Sequence, residues 1–115
     1  MIHMDRQADY SVLNLTGRLD GLTMGEVEKC FLEAVAAGEQ RFVFDMEQLE
    51  YISSAGLRVM LLAMKKTKAI GGQLVLCGLS GMVEEVFQMS GFTAVFSIAA
   101  SRQEAIQNVR IASGE

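Results

Sequence analysis

Apolar residues follow two different spacings along the chain. In five short segments they are consecutive or alternate with polar residues, which is typical of β-strands. These segments predict strands at 10–16, 41–45, 73–77 and 94–98, with an antiparallel edge strand at residues 2–6. The segments at 41–45 and 73–77 are nearly continuous apolar runs, which indicates parallel strands that are buried on both faces of a sheet.

Between the strands, apolar residues recur every three or four positions, as on one face of an α-helix. Two capping boxes, in which a serine or threonine is followed three residues later by glutamate, predict where the first and the last helix begin. The predicted helices run from Thr23 to about Ala37 (capping partner Glu26), from about Ala55 to Ile70, from Ser80 to about Met89, and from Ser101 onward (capping partner Glu104), with Ile106 and Val109 facing inward.

The alternation of strands and helices predicts an α/β fold. We expect a single domain of residues 1–115, with a core at about 8–110, because the sequence contains no linker, repeat or low-complexity segment. A mostly parallel sheet of four or five strands, joined by right-handed βα crossovers and covered by helices, accounts for this order of elements. Consecutive strands should be neighbours in the sheet.

Charge and composition narrow the classes of function. The net charge is −4 and half of the residues are hydrophobic. The lysines at 65, 66 and 68 form the one basic cluster and fit the C-terminal end of a helix, so direct binding to nucleic acid is disfavoured. No apolar run is long enough to span a membrane, and the first residues lack the pattern of a signal peptide, so we expect a cytoplasmic protein without membrane insertion.

The residues that most often carry enzyme or metal chemistry are few and scattered. Cys30 and Cys77 lie in separate apolar runs and are expected to be small buried residues, with neither a disulfide nor a metal between them. His3 is the single histidine and lies near the N-terminus. No glycine-rich loop has the spacing of a nucleotide-binding motif. We therefore expect no metal, no cofactor and no catalytic activity.

Two segments that follow predicted strands stand out as candidate sites. They are residues 17–20 and residues 51–57, and the second leads into the helix that begins at about Ala55. A helix start favours an anion, so a serine there could carry a regulatory phosphate, or it could serve only as an N-cap. Gly56 could serve close packing of this helix on the sheet. Asp20 and Asp45 also follow strands and could converge near Ser54.

The helix over residues 55–70 is apolar on nearly all sides of its first half. A neighbouring helix could cover the second apolar side, or part of that side could be a surface for a partner protein. We expect Leu57 and Leu61 to be buried. Arg58 and one apolar neighbour, either Met60 or Leu62, should stay partly exposed as contact surface.

Several motifs together resemble the bacterial anti-sigma-factor antagonists of the STAS domain family. The segment from Asp45 to Arg58, DMEQLEYISSAGLR, is similar to the family signature, and LTGRLD, ending at Asp20, is similar to its L-x-G-x-L-D motif. The segments GGQLVLCG and VFQMSGF match the family pattern in order and spacing. The resemblance covers roughly residues 8–100.

The resemblance implies a switch protein without catalytic activity. The family's phosphoacceptor corresponds to Ser54, and its acidic residue after the second strand corresponds to Asp20. Many members have aspartate immediately before the acceptor, whereas this chain has Ser53, which makes Ser53 an alternative acceptor. The predicted partner-binding residues are Asp20, Ser53, Ser54, Gly56, Arg58, Met60 and Leu62.

The resemblance also implies partners and a mechanism. The unphosphorylated protein is expected to bind an anti-sigma factor that is also a serine protein kinase, and thereby to release a sigma factor. Phosphorylation is expected to break that complex, and a metal-dependent serine phosphatase to restore it. The alternative is a STAS regulatory subunit of another assembly, in lipid transport, secretion or stress signalling, without a sigma factor.

Overall fold

The computed structural model of the chain describes residues 2–111. Met1 and residues 112–115 of the predicted domain 1–115 lie outside the described residues. The strands are β1 (Ile2–Arg6), β2 (Ser11–Leu19), β3 (Arg41–Ile52), β4 (Gln73–Cys77) and β5 (Ser97–Ala99). The α-helices are α1 (Met24–Ala36), α2 (Ser54–Ala69), α3 (Gly81–Met89) and α4 (Arg102–Ile111), and a short 3-10 helix spans Phe92–Ala94.

The five strands form one sheet in the order β1-β2-β3-β4-β5. Strand β1 pairs with β2 in antiparallel orientation, and the other three pairs are parallel. Consecutive strands are therefore neighbours, and the predicted α/β fold with a mostly parallel sheet is confirmed.

The two faces of the sheet carry different cores. Helices α1, α2 and α3 cover one face, where Phe31 of α1, Met60 of α2 and Phe87 of α3 join one cluster of buried residues. Helix α4 covers the other face, where Val109 packs on Val12, Val43, Val75 and Cys77 of the central strands. Because the three crossover helices share one face, the crossovers have a single hand, as a parallel sheet with neighbouring consecutive strands favours.

Strand β3 is longer than the sequence pattern indicates. The pattern predicts a strand at 41–45 followed by a loop, whereas β3 continues to Ile52. The pairing of β2 with β3 shifts register between Asn14 and Thr16 and again between Gly17 and Arg18. These irregularities interrupt the alternation of buried and exposed side chains, which hides the second half of β3 from a search for strand periodicity.

The last strand and two helix starts also differ from the prediction. The strand predicted at 94–98 is displaced, because residues up to Ala94 form a 3-10 helix and β5 begins at Ser97. The capping box of Thr23 is wrong: its hydroxyl donates to the carbonyl oxygen of Arg18 (2.7 Å) instead of capping α1. Ser80 lies at the N-cap position of α3 without a side-chain capping bond.

The capping of α4 is confirmed. Ser101 Oγ accepts a hydrogen bond from the backbone N–H of Glu104 (3.1 Å). The carboxylate of Glu104 in turn accepts one from the backbone N–H of Ala100 (2.8 Å). Val109 is fully buried as expected, and Ile106 is half-buried at the edge of the same cluster.

Candidate functional site

The carboxyl ends of β2 and β3 meet at the start of α2. Leu19 and Ile52, near the ends of these parallel strands, are paired in register. The backbone N–H of Ser53 then donates to the carbonyl oxygen of Leu19 (2.9 Å). The two segments singled out in the sequence, 17–20 and 51–57, are therefore brought together by the sheet.

Gly56 allows α2 to begin directly against this sheet edge. A Cβ atom at Gly56 would lie 2.6 Å from the carbonyl oxygen of Leu19 and 2.7 Å from Cγ1 of Ile52. Both distances are below the closest approach of real side-chain carbons, so only glycine fits without a shift. Gly56 is buried, so its close packing lets α2 begin against the sheet, and a contact with a partner stays a prediction.

The two serines at the helix start have different roles. Ser53 is the N-cap of α2, and its Oγ accepts a hydrogen bond from the backbone N–H of Gly56 (3.2 Å). Ser54 is the first residue of the helix, one position earlier than the predicted start at Ala55, and its side chain is exposed. The capping function therefore belongs to Ser53, which leaves the hydroxyl of Ser54 free for other chemistry.

The environment of Ser54 suits an anion. Within residues 2–111, the backbone N–H groups of Ser54 and Ala55 have no backbone acceptor, and they lie at the positive end of the α2 dipole. Helix α2 has no acidic residue in its first turn, and Arg58 follows Ser54 by four residues. Residues four apart share one face of a helix, so Arg58 adds a cation on the side of Ser54.

The loop after β2 is held by the carboxylate of Asp20. Its Oδ1 accepts a hydrogen bond from the backbone N–H of Leu22 (3.0 Å), and its Oδ2 lies 3.4 Å from Nε of Arg18. The Leu22 N–H has the largest effect on the pKa of Asp20 and lowers it. Burial opposes that shift, while hydrogen bonds from Arg18 and Thr23 add to it. Asp20 is therefore an anion that shapes the loop beside the start of α2.

The structure draws attention to three residues that the sequence does not single out by themselves, Arg18, Tyr51 and Leu22. The guanidinium of Arg18 stacks over the ring of Tyr51, with 4.0 Å between Cζ and the ring centroid. Leu22, between Asp20 and α1, is 95% exposed. An apolar residue directly after the turn-forming pair Asp20-Gly21 is the signal that could have identified Leu22. The pairing of Arg18 with Tyr51 depends on the irregular register of β2 and β3.

Asp45 does not belong to this site. Its Oδ2 lies 3.5 Å from an Nη atom of Arg102, on the sheet face that α4 covers. Arg102 also bonds to the side chains of Asp5 (3.0 Å) and Asn14 (2.9 Å), and so fastens α4 to the first three strands. The expectation that Asp45 could converge with Asp20 near Ser54 is wrong, because its side chain points to the opposite face from α2.

The outward side of α2 differs in detail from the prediction. Arg58 is exposed and Leu62 is half-buried, as expected for a contact surface. Met60 is fully buried in the core, so of the two apolar neighbours it is Leu62 that stays partly exposed. Leu57 and Leu61 are half-buried, although both were expected to be buried. Leu57 packs at the edge of the core, and Leu61 lines an open groove between α1 and α2.

The two cysteines lie outside this region. Cys77 is buried as expected, and burial, together with the charge of Asp45, raises the pKa of its thiol to about 12. Cys30 is only half-buried, which corrects the prediction, and burial again raises the pKa of its thiol. Within the part of the chain that the structure describes, His, Cys, Asp and Glu side chains form no cluster that could hold a metal ion. None of the described helices has the length and apolarity needed to cross a membrane.

Comparison with known proteins identifies the family. Residues 1–105 match the family model of the STAS domain. The chain belongs to the STAS domain family. A Bordetella bronchiseptica protein described as an anti-sigma factor antagonist, BtrV, is 41% identical over 102 residues, which cover 89% of this chain and 88% of that protein. The resemblance found in the sequence motifs is thereby confirmed.

Two solved structures share the fold. The protein tm1081 from Thermotoga maritima superposes with a TM-score of 0.88 at 22% identity, covering 95% of this chain and 94% of that one. The Bacillus antagonist SpoIIAA in its phosphorylated form gives a TM-score of 0.75 at 24% identity, covering 95% of this chain and 99% of that one. At these identities the likeness establishes the fold alone.

Proposed function

We propose that this STAS domain is an anti-sigma-factor antagonist whose binding is switched by phosphorylation of Ser54. In its unphosphorylated form it binds an anti-sigma factor that is also a serine kinase, and the sigma factor is released. A metal-dependent serine phosphatase resets the switch. The protein acts by binding, in the cytoplasm, and catalyses no reaction itself.

One observation carries the assignment to Ser54. Its side chain is exposed at the first position of α2, while the neighbouring serine is occupied as the N-cap. A kinase can reach the hydroxyl of Ser54 without disturbing the fold. Phosphorylation of Ser53 would instead esterify the oxygen that accepts the N–H of Gly56, so the N-cap of α2 would have to rearrange. The relative described as an antagonist, BtrV, supports the sigma-factor pathway.

A phosphate on Ser54 should be tolerated by the domain itself. It would carry a charge of about −1.5 to −2 at neutral pH. The free N–H groups of the first turn, the positive helix end and Arg58 one turn later all favour that charge. The melting temperature should therefore change little.

The loss of binding must then arise against the partner. A dianion desolvated against a closely fitting surface costs several kcal/mol unless the partner supplies a cation. Each 1.4 kcal/mol weakens affinity about tenfold. The surface around Ser54, with the exposed side chains of Leu22 and Arg58, is the region where such a partner would lie.

Three variants test this function on the cognate anti-sigma factor. Ser54→Ala should keep binding and abolish phosphorylation, and Ser54→Asp should weaken binding at nearly unchanged melting temperature. Ser53→Ala is the control, which should still be phosphorylated. Binding by Ser54→Asp as tight as by the unmodified protein would contradict the proposed switch.

A further inference from the structure

The outer side of α2 borders an open groove with an apolar floor. The groove lies between α1 and α2 and has a volume of about 600 Å³. Leu32 of α1 and Leu61 and Leu62 of α2 line it, and all three are half-buried rather than covered by the domain. An open apolar floor between two helices can accept the apolar face of an amphipathic helix.

The rim of the groove on the α2 side is cationic. Helix α2 contains Arg58, Lys65, Lys66 and Lys68 and no acidic residue, although the chain as a whole has a net charge of −4. The first three of these cations line the groove and are exposed.

Within residues 2–111 these cations form no ion pair. The ion pairs inside residues 2–111 use arginines at 6, 18, 102 and 110, and none uses a cation of α2. The positive charge of α2 is therefore available to a partner. It lies beside apolar side chains that water now contacts.

The α1 side of the groove carries no charge of its own, because Leu32 is the residue of α1 that lines it. Leu32 also borders a second hollow on the outer face of α1, where Glu28, Lys29 and Glu33 place charges of both signs. The positive charge of the groove therefore lies on the α2 side alone, and a partner helix should place its acidic residues toward α2.

From this charge pattern we propose that the groove binds an acidic amphipathic α-helix of the partner protein. Arg58 and Lys65 are seven residues apart, which is about 10 Å along the helix axis. A matching helix therefore carries acidic residues about two turns apart, beside an apolar stripe that covers Leu61 and Leu62. The proposal rests on the proposed function for the identity of the partner, the anti-sigma factor.

The first experiment measures the affinity of the anti-sigma factor for charge-reversed variants. Lys65 lies eleven residues, or about 16 Å, from Ser54 along α2, so its replacement leaves the switch site intact. The double variant Lys65→Glu/Lys66→Glu should bind about tenfold more weakly, and increasingly so at low salt. Lys68→Glu is the matched control, because Lys68 is on the same helix but does not line the groove. It should change affinity less than twofold.

The outcomes separate this proposal from the proposed function. If the double variant binds as tightly as the unmodified protein while Ser54→Asp does not, the groove proposal is overturned and the switch stands. An equal loss of affinity in Lys68→Glu would also overturn the groove proposal, because the loss would then follow from the net charge of the domain and not from the groove. Circular dichroism of each variant confirms that the fold is retained.

A second experiment needs no anti-sigma factor. A synthetic 16-residue helical peptide with a leucine stripe flanked by glutamates is titrated into the isotope-labelled domain and followed by NMR. We expect shifts at Leu32, Leu61 and Lys65, and none with the same peptide carrying lysine for glutamate. Shifts from both peptides alike, or none at millimolar peptide, would overturn the proposal. Binding of α2 to anionic vesicles, or self-association lost in Lys65→Glu/Lys66→Glu, would overturn it in favour of a lipid surface or a second copy.

Discussion

Replacing Gly56 with alanine places a methyl group where the backbone of β2 already lies. The new Cβ would be 2.6 Å from the carbonyl oxygen of Leu19, 2.7 Å from Cγ1 of Ile52 and 3.0 Å from Cγ of Leu19. The carbonyl oxygen cannot swing away as a flexible side chain could, because Leu19 is paired in the sheet and accepts the N–H of Ser53. The first turn of α2 must therefore move outward.

The size of the effect follows from two opposing terms. Overpacking a close contact costs about 1–3 kcal/mol, and contact with backbone favours the upper end of that range. Alanine is preferred to glycine in a helix by about 1 kcal/mol, which offsets part of the cost. We expect Gly56→Ala to lower the free energy of unfolding by about 2 kcal/mol. With a urea slope of about 1.5 kcal/mol/M, the unfolding midpoint should fall by about 1 M.

Gly25 provides the matched control for this substitution. It lies in α1, and a Cβ atom there would meet nothing within 4 Å. Gly25→Ala should therefore raise stability by about 0.5 kcal/mol through helix propensity alone. Urea unfolding monitored by circular dichroism measures both variants. If Gly56→Ala were as stable as Gly25→Ala, the close contact between α2 and the sheet would be refuted.

Three further predictions concern other parts of the molecule. Arg102→Met should lower the free energy of unfolding by about 2 kcal/mol in urea, because the buried carboxylate of Asp45 loses its cation; an unchanged midpoint would contradict this. In the native protein an aromatic disulfide reagent at pH 8 should modify Cys30 before Cys77, because the pKa of about 12 keeps the Cys77 thiol protonated. Faster modification of Cys77 would contradict its deeper burial. The carboxyl of Asp20 should titrate by NMR below its unfolded pKa of about 3.9. The ionised carboxylate therefore stabilises the fold above about pH 4, and this contribution is lost as the pH falls through the folded pKa. In Asp20→Asn the free energy of unfolding should fall less steeply as the pH is lowered.

The sequence predicts those parts of the fold in which burial on both faces of the sheet requires apolar residues. The apolar runs of β3 and β4 at 41–45 and 73–77 have no polar face, and the helical spacing between them leaves a parallel crossover as the simple solution. The second half of β3 could not be predicted, because the register shifts opposite β2 remove the alternation that marks a strand. Strand β5 has only three residues, too few to show any period.

The candidate site was predicted in position but not in detail. The two segments were found because parallel strands end at one edge of a sheet, and Ser53, Ser54 and Asp20 do lie there. Which serine caps α2 depends on a difference of one residue in the helix start, and propensity cannot resolve that. The burial of Met60 and the partial exposure of Leu61 depend on how α2 rotates against α1, which the nearly uniform apolar character of the helix does not reveal.

Phosphosite mapping shows whether Ser54 is the residue that the kinase modifies. The unmodified protein is incubated with its cognate anti-sigma kinase and ATP, and the modified residue is located by fragmentation mass spectrometry of the intact domain. We predict one phosphate, on Ser54, because its hydroxyl is exposed while that of Ser53 is engaged with the N–H of Gly56. Phosphate on Ser53 alone would contradict the assignment, and no phosphate on either serine would contradict the switch itself.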